Sequence, residues 1–153
     1  EIVELDPGGM LDTAVAKMGK IFVGTELGGG GTSTPATVSI AETGIKNILS
    51  HFNIINEKPK TREEMGLEPI KRMHMPDPKS FTFSEDTGVY ESLIELDASV
   101  KIGDIIGQVH FPEKPERDPI SYKSRIEGVL IGRAHKALVY PGDFLALVAQ
   151  EIK

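Results

Sequence analysis

The feature that most limits what this chain can fold into is a segment that occurs twice. "VKIGDIIGQV", residues 100–109, superposes on "VYPGDFLALV", residues 139–148: a valine, then Gly103 or Gly142, then Asp104 or Asp143, with apolar residues two and three places beyond the glycine. Gly88 and Val89 ahead of the first copy match Gly128 and Val129 ahead of the second. Each copy reads as a strand, a tight Gly-Asp turn and another strand. Such a unit cannot cover its own apolar face, so two copies predict two quasi-symmetric halves closing on one core.

The segments around the repeat extend that pattern. "FTFS", "GVYESLIEL", "DIIGQVHF", "SYKSRIEGVLIG", "ALVY" and "FLALVAQEI" each read as a strand, punctuated by Gly and Asp at the spacing of a small barrel or sandwich. Residues 80–153 are therefore expected to form an all-β domain, a small barrel or sandwich.

The first third has a different period. "EIVEL" alternates like a strand and is closed by "DPGG". Asp12 is placed to cap a short helix carrying Leu11, Val15 and Met18 on one face, with Gly19 as its left-handed stop. "KIFVGTEL" reads as a central, doubly covered strand. Thr34 as N-cap and Pro35 at the first helical position then open a second helix with an apolar stripe of Val38, Ala41, Ile45, Ile48, Leu49 and Phe52. Residues 1–56 thus read as strand, helix, strand, helix, the tail of an α/β layer. Residues 57–79, with Pro59, Pro69, Pro76 and Pro78 among charges, read as a connection holding at most one short strand in "LEPIKRMHM". The fold class expected is α+β. Because the chain opens at Glu1 inside a strand-like segment, it is expected to be processed, cut, or part of something longer.

Composition narrows the function classes. At 153 residues and 39% hydrophobic content the chain can build a real core. It contains no run approaching the ~20 apolar residues that span a bilayer and no signal-like start, so no membrane partner and a cytoplasmic location are expected. The absence of cysteine excludes disulfides, thiolate metal sites and a cysteine nucleophile. A net charge of -6 with no basic stripe argues against nucleic acid, since neutralising phosphates needs clustered Lys and Arg.

The chemistry concentrates at "TELGGGGTSTP". Glu26 stands at the end of the expected strand, followed by four glycines at 28–31 and then a helix start whose N–H groups favour an anion. By itself this also fits a glycine-rich turn beside a satisfied acid. A phosphate loop started at Gly24 lacks its lysine, since Gly30 follows Gly29, and no acid near Asn47 and Ser50 completes a dinucleotide fingerprint.

"MGKIFVGTELGGGGTSTPATVSIAETGIKNIL", with "GVYESLIELDASVKIGDIIGQV" and "GVLIGRAHKALVYPGDFLALVA", resembles the carboxyl-terminal part of the succinylglutamate desuccinylase/aspartoacylase family. Within it the likeness is to the branch containing N-acetyl-diaminobutyrate deacetylases of ectoine breakdown. The resemblance implies a zinc carboxypeptidase-like α/β domain followed by a small β domain, and hydrolysis of the amide of a small N-acyl amino acid. It also implies that Glu26 is the general base, with Gly28, Gly29 and Gly30 beside the substrate. Tyr140 falls where some relatives place a substrate-facing tyrosine; the plainer reading is a half-buried barrel residue.

The family's zinc ligands, an HxxE motif and a later histidine, precede the glutamate loop. Here His51, His74, His110 and His135 all follow Glu26. HxxE occurs as His110 to Glu113, but Pro112 interrupts the helical spacing, so no metal ligand is assigned to this chain. Arg62, Arg72, Arg117, Arg125 and Arg133 are not promoted to substrate binding. Two other readings stay open. One is a module resembling biotinyl and lipoyl carriers, whose barrel-sandwich shape is the architecture expected of residues 80–153, although Lys123 sits five residues before Gly128 without the carrier flanks. The other is a structural module covering an active site. Apolar surface left on the α/β tail also predicts a homo-oligomer.

Overall fold

A computed structural model of the chain describes residues 10–152. The expected strand at "EIVEL" and its "DPGG" turn lie outside the described residues. The chain divides into two compact units, one running to Ile70 and the other from Lys71. Among the described residues the first holds two α-helices and the second, which is mostly sheet, all nine strands. No helix among the described residues is long and apolar enough to cross a membrane.

In the first unit, α1 spans Leu11–Lys17 and α2 spans Pro35–His51. Asp12 does not cap α1: the N-cap is Met10, and Asp12 lies in the first turn, its Oδ1 accepting from the Thr13 N–H at 2.6 Å. There its charge meets the positive end of the helix, which stabilises the same terminus by a different route. The stop is the expected one. Gly19, at φ 66°, donates to the Ala16 carbonyl at 2.9 Å while Lys20 N–H reaches the Val15 carbonyl at 3.2 Å. Those two bonds satisfy carbonyls that a helix end leaves open. α2 ends in the same way, with Asn53 at φ 55° and Ile54 N–H on the Leu49 carbonyl at 2.8 Å.

The expected strand over 20–27 does not form. No ladder includes these residues, and Ile21, Phe22 and Val23 are 73%, 43% and 64% exposed. An apolar run becomes a strand only when a neighbour takes its backbone donors and acceptors, and every strand among the described residues lies from Met73 onward. The α2 stripe has the helical period, yet only Ala41 and Leu49 are half-buried; Val38, Ile45, Ile48 and Phe52 stay exposed. Residues after α2 return along it. The Asn47 side chain clamps Lys60, donating to its carbonyl at 2.8 Å and accepting from its N–H at 2.9 Å.

The second unit begins with β1, Met73–His74, within the stretch expected to hold one short strand. There follow β2 (Phe81–Phe83), β3 (Gly88–Ser92), β4 (Ser99–Val100), β5 (Ile105–His110), β6 (Ile120–Lys123), β7 (Gly128–Arg133), β8 (Leu138–Val139) and β9 (Phe144–Glu151). "SYKSRIEGVLIG" is two strands rather than one, because at Ser124 the chain leaves the ladder: its hydroxyl bonds the Ile126 carbonyl at 2.6 Å. "GVYESLIEL" likewise stops at Ser92, whose hydroxyl donates to the Ile94 carbonyl at 3.0 Å.

Among the described residues all pairings are antiparallel and form two sheets, β6-β5-β3-β8 and β2-β9-β7-β4, with β1 added to β9. The second order is the first with each strand replaced by its counterpart in the other half. The registers match too: Val89 lies opposite His110 and Tyr90 opposite Val109, as Val129 lies opposite Ala149 and Leu130 opposite Val148. The two copies therefore form equivalent sheets, as the repeat predicts. Equivalent residues fill one core, with Ile106 and Leu145, Val109 and Val148, Val100 and Val139 all buried together. Each large side chain so buried is worth about 1.5–3 kcal/mol before chain entropy opposes it. The matching glycines are set by close approach: a Cβ on Gly88 would stand 2.3 Å from the His110 carbonyl oxygen, and one on Gly128 2.2 Å from that of Ala149.

Candidate functional site

Glu26 lies in the first unit on an exposed segment without secondary structure. Its carboxylate has no hydrogen bond or ion pair to another described residue, so it is free to meet a substrate or a partner group. The loop beyond it bends sharply: Gly28, Gly30 and Gly31 have φ of 80°, 63° and 69°, a region that side chains disfavour. Thr32 closes this turn, its N–H and hydroxyl both donating to the Gly29 carbonyl at 3.3 and 3.0 Å.

The loop runs into the start of α2, where Thr34 is the expected N-cap and Pro35 the first helical residue. The Thr34 hydroxyl accepts from the Thr37 N–H at 3.2 Å, and the Thr37 hydroxyl accepts from the Thr34 N–H at 2.9 Å. This reciprocal cap has threonine where Glu or Gln is usual. Pro35 has no N–H and Thr34 occupies that of Thr37, so the anion-binding capacity expected of this helix start falls to the Ala36 N–H. Neither the Thr37 contact nor the Asn47 clamp was legible in the sequence. The one available signal was the Thr-x-x-Thr spacing at the helix start.

Tyr140 lies in the second unit, in the turn between β8 and β9. It is 53% exposed rather than half-buried. Its N–H donates to Asp143 Oδ2 at 2.9 Å, the bond that Lys101 N–H makes to Asp104 Oδ2 at 2.8 Å in the other copy. The backbone of Tyr140 is thus fixed while its ring faces outward.

The remaining candidates have local partners. His110 Nε2 lies 2.7 Å from Glu91 Oε2, which engages this histidine with a carboxylate other than Glu113. His51 packs edge-on against Phe52, and His74 lies opposite Gln150. No group of three His, Asp or Glu side chains able to hold a metal occurs among the described residues. The described residues therefore do not by themselves fit a zinc site. Arg117 pairs with Asp86 at 3.3 Å and covers the Phe111 ring, Arg133 pairs with Glu95 at 2.9 Å, and Arg125 donates to the Phe81 carbonyl. Lys123 sits within β6 opposite Ile105, not at the tip of a hairpin where a carrier presents its lysine.

No protein-family model matches the chain. The N-alpha-acetyl-L-2,4-diaminobutyric acid deacetylase of Halomonas elongata is 38% identical over 98% of this chain and 43% of its own length. The product-bound structure of the ectoine utilization protein EutE (DoeB) from Ruegeria pomeroyi superposes with a TM-score of 0.84 at 37% identity, covering 93% of this chain and 42% of that one. A succinylglutamate desuccinylase from a Silicibacter species gives 0.86 at 37% identity, over 99% of this chain and 44% of the other. The chain is a relative of the succinylglutamate desuccinylase/aspartoacylase family. It spans well under half the length of the family members it matches. The sequence resemblance drawn from "TELGGGGT" is thereby matched in fold, and the mostly β content with two helices is that of part of the desuccinylase/aspartoacylase structure.

Proposed function

We propose that this chain contributes the proton-transfer residue and the adjoining glycine loop of an amidohydrolase that removes an acyl group, acetyl in first place, from a small N-acylated amino acid. Glu26 takes the proton of the water that adds to the amide carbonyl and delivers it to the amine nitrogen as the C–N bond breaks, releasing a carboxylic acid and a free amine. Gly28, Gly29 and Gly30 leave room for the substrate beside it. The zinc of this chemistry is held by polypeptide other than these residues, so the 153-residue chain alone is inactive.

The observation that carries this reading is the position of Glu26, unpaired and exposed, immediately before a left-handed glycine turn. It occurs in a chain 38% identical to an acetyl-diaminobutyrate deacetylase. The test is hydrolysis of N-acetyl-diaminobutyrate by the full-length protein and by its Glu26→Gln variant, which should bind substrate and fail to turn it over. The reading further holds that residues 80–153 form a barrel-sandwich domain, that the enzyme is a cytoplasmic homo-oligomer, and that its substrate belongs to ectoine breakdown. The two equivalent four-stranded orders support the first of these. The alternative, a non-catalytic carrier-like or structural β module, has the strand order on its side but no lysine at a turn tip.

A further inference from the structure

We infer that Thr37 is a positioning residue for Glu26, holding the loop that leads away from the carboxylate against the first turn of α2. The inference rests on the reading of Glu26 as the proton acceptor. Glu26 has no polar partner of its own among the described residues, and the run before it, Ile21 to Val23, is exposed and unpaired. Its backbone is therefore located chiefly by the glycine loop on its carboxyl side. Two residues on, Gly28 turns at φ 80°, and the place where a Cβ would stand is 3.3 Å from the methyl carbon of Thr37.

That methyl cannot move independently. The Thr37 hydroxyl accepts from the Thr34 N–H at 2.9 Å and donates to the Thr34 carbonyl at 3.0 Å, which fixes the side chain and leaves Cγ2 on the side where a Gly28 Cβ would stand. What Thr37, at the third helical position, gives the cap of α2 is its hydroxyl, which serine also carries. The methyl is thus the part of Thr37 that the helix does not require and that faces the Cβ position of Gly28. With Gly29 held by Thr32 on the far side, the turn is pinned at both ends. Small displacements of a reacting group reduce rates steeply.

The test uses the full-length protein with N-acetyl-diaminobutyrate. Thr37→Ser keeps the hydroxyl and removes the methyl; kcat should fall about tenfold with KM within about twofold and the melting temperature unchanged. Hydrogen exchange at Gly28 to Gly31 should quicken in the same variant, a readout independent of turnover. Gly28→Ala should be less harmful in the Thr37→Ser background than in the native one, since the added Cβ then has space. Wild-type kcat and unchanged exchange in Thr37→Ser, or strictly additive effects with Gly28→Ala, would overturn the inference. If Glu26→Gln turns over normally, the reading of Glu26 fails instead. If Glu26→Gln is inactive while Thr37→Ser matches wild type, only the role given to Thr37 fails.

Discussion

Ser84 and Asp143, in opposite halves of the β unit, are joined by a 2.8 Å hydrogen bond from the Ser84 N–H to the Asp143 carbonyl, and Gly142 N–H returns to the Ser84 carbonyl at 2.8 Å. The counterpart pair repeats this, with Ser124 N–H on the Asp104 carbonyl and Gly103 N–H on the Ser124 carbonyl, both at 2.9 Å. Each half therefore holds the Gly-Asp turn of the other. The repeat in sequence is an exchange in structure, and this is what closes the two sheets on one core.

Both turns need a left-handed glycine, at φ 91° in Gly103 and 90° in Gly142. Alanine at either site should destabilise the chain by about 1–2 kcal/mol, and by similar amounts because the sites are equivalent. Asp104→Ala and Asp143→Ala should each remove about 1 kcal/mol by losing the carboxylate bond to the turn backbone. Urea denaturation of the four variants tests this; unequal losses within a pair would contradict the equivalence.

Gly88→Ala and Gly128→Ala should be worse. Their Cβ atoms would meet carbonyl oxygens of the paired strands at 2.3 and 2.2 Å, and a backbone atom inside a ladder cannot step aside cheaply. A loss of about 3 kcal/mol is expected for each, measured in the same denaturation series.

Tyr90 gives the chain an alkaline limit. Its hydroxyl is buried without a partner in hydrogen-bonding geometry, and burial pushes the phenol above its ordinary value of 10.0, with Ser92 and Arg133 opposing part of the shift. Below that value both the folded and unfolded states keep the proton. Above it the unfolded chain ionises first, so stability should fall as pH climbs past 10. Tyr90→Phe should flatten that fall and, at neutral pH, cost nothing or stabilise by up to about 1 kcal/mol. Thermal denaturation across this pH range decides it.

Asn47 is the fastening of the segment after α2. Asn47→Ala releases both polar groups of Lys60, and tryptic cleavage after Lys60 should accelerate severalfold while the β unit keeps its denaturation midpoint.

How much the sequence disclosed depended on how local each signal was. Gly19, Thr34 and Pro35 act through neighbours a few residues away, and all three stand as expected. The duplicated Gly-Asp turn was legible because both copies carry the same φ requirement. The run at 20–27 misled because apolar character marks a residue that prefers cover, whereas a strand needs a partner's backbone. Serines 92 and 124 ended strands through hydroxyl bonds to the carbonyls of Ile94 and Ile126, which alternation of apolar residues does not register. At the candidate site, Glu26 and its glycines were visible as a pattern, while the Thr37 methyl became visible only when Gly28 was placed in space.

The most direct measurement of the central claim is steady-state hydrolysis of N-acetyl-diaminobutyrate by the full-length protein carrying Glu26→Gln. A kcat reduced by at least about 100-fold with KM little changed is the predicted result, since the amide replacing the carboxylate still fits but cannot accept a proton. A kcat equal to that of the unmodified protein would contradict the account.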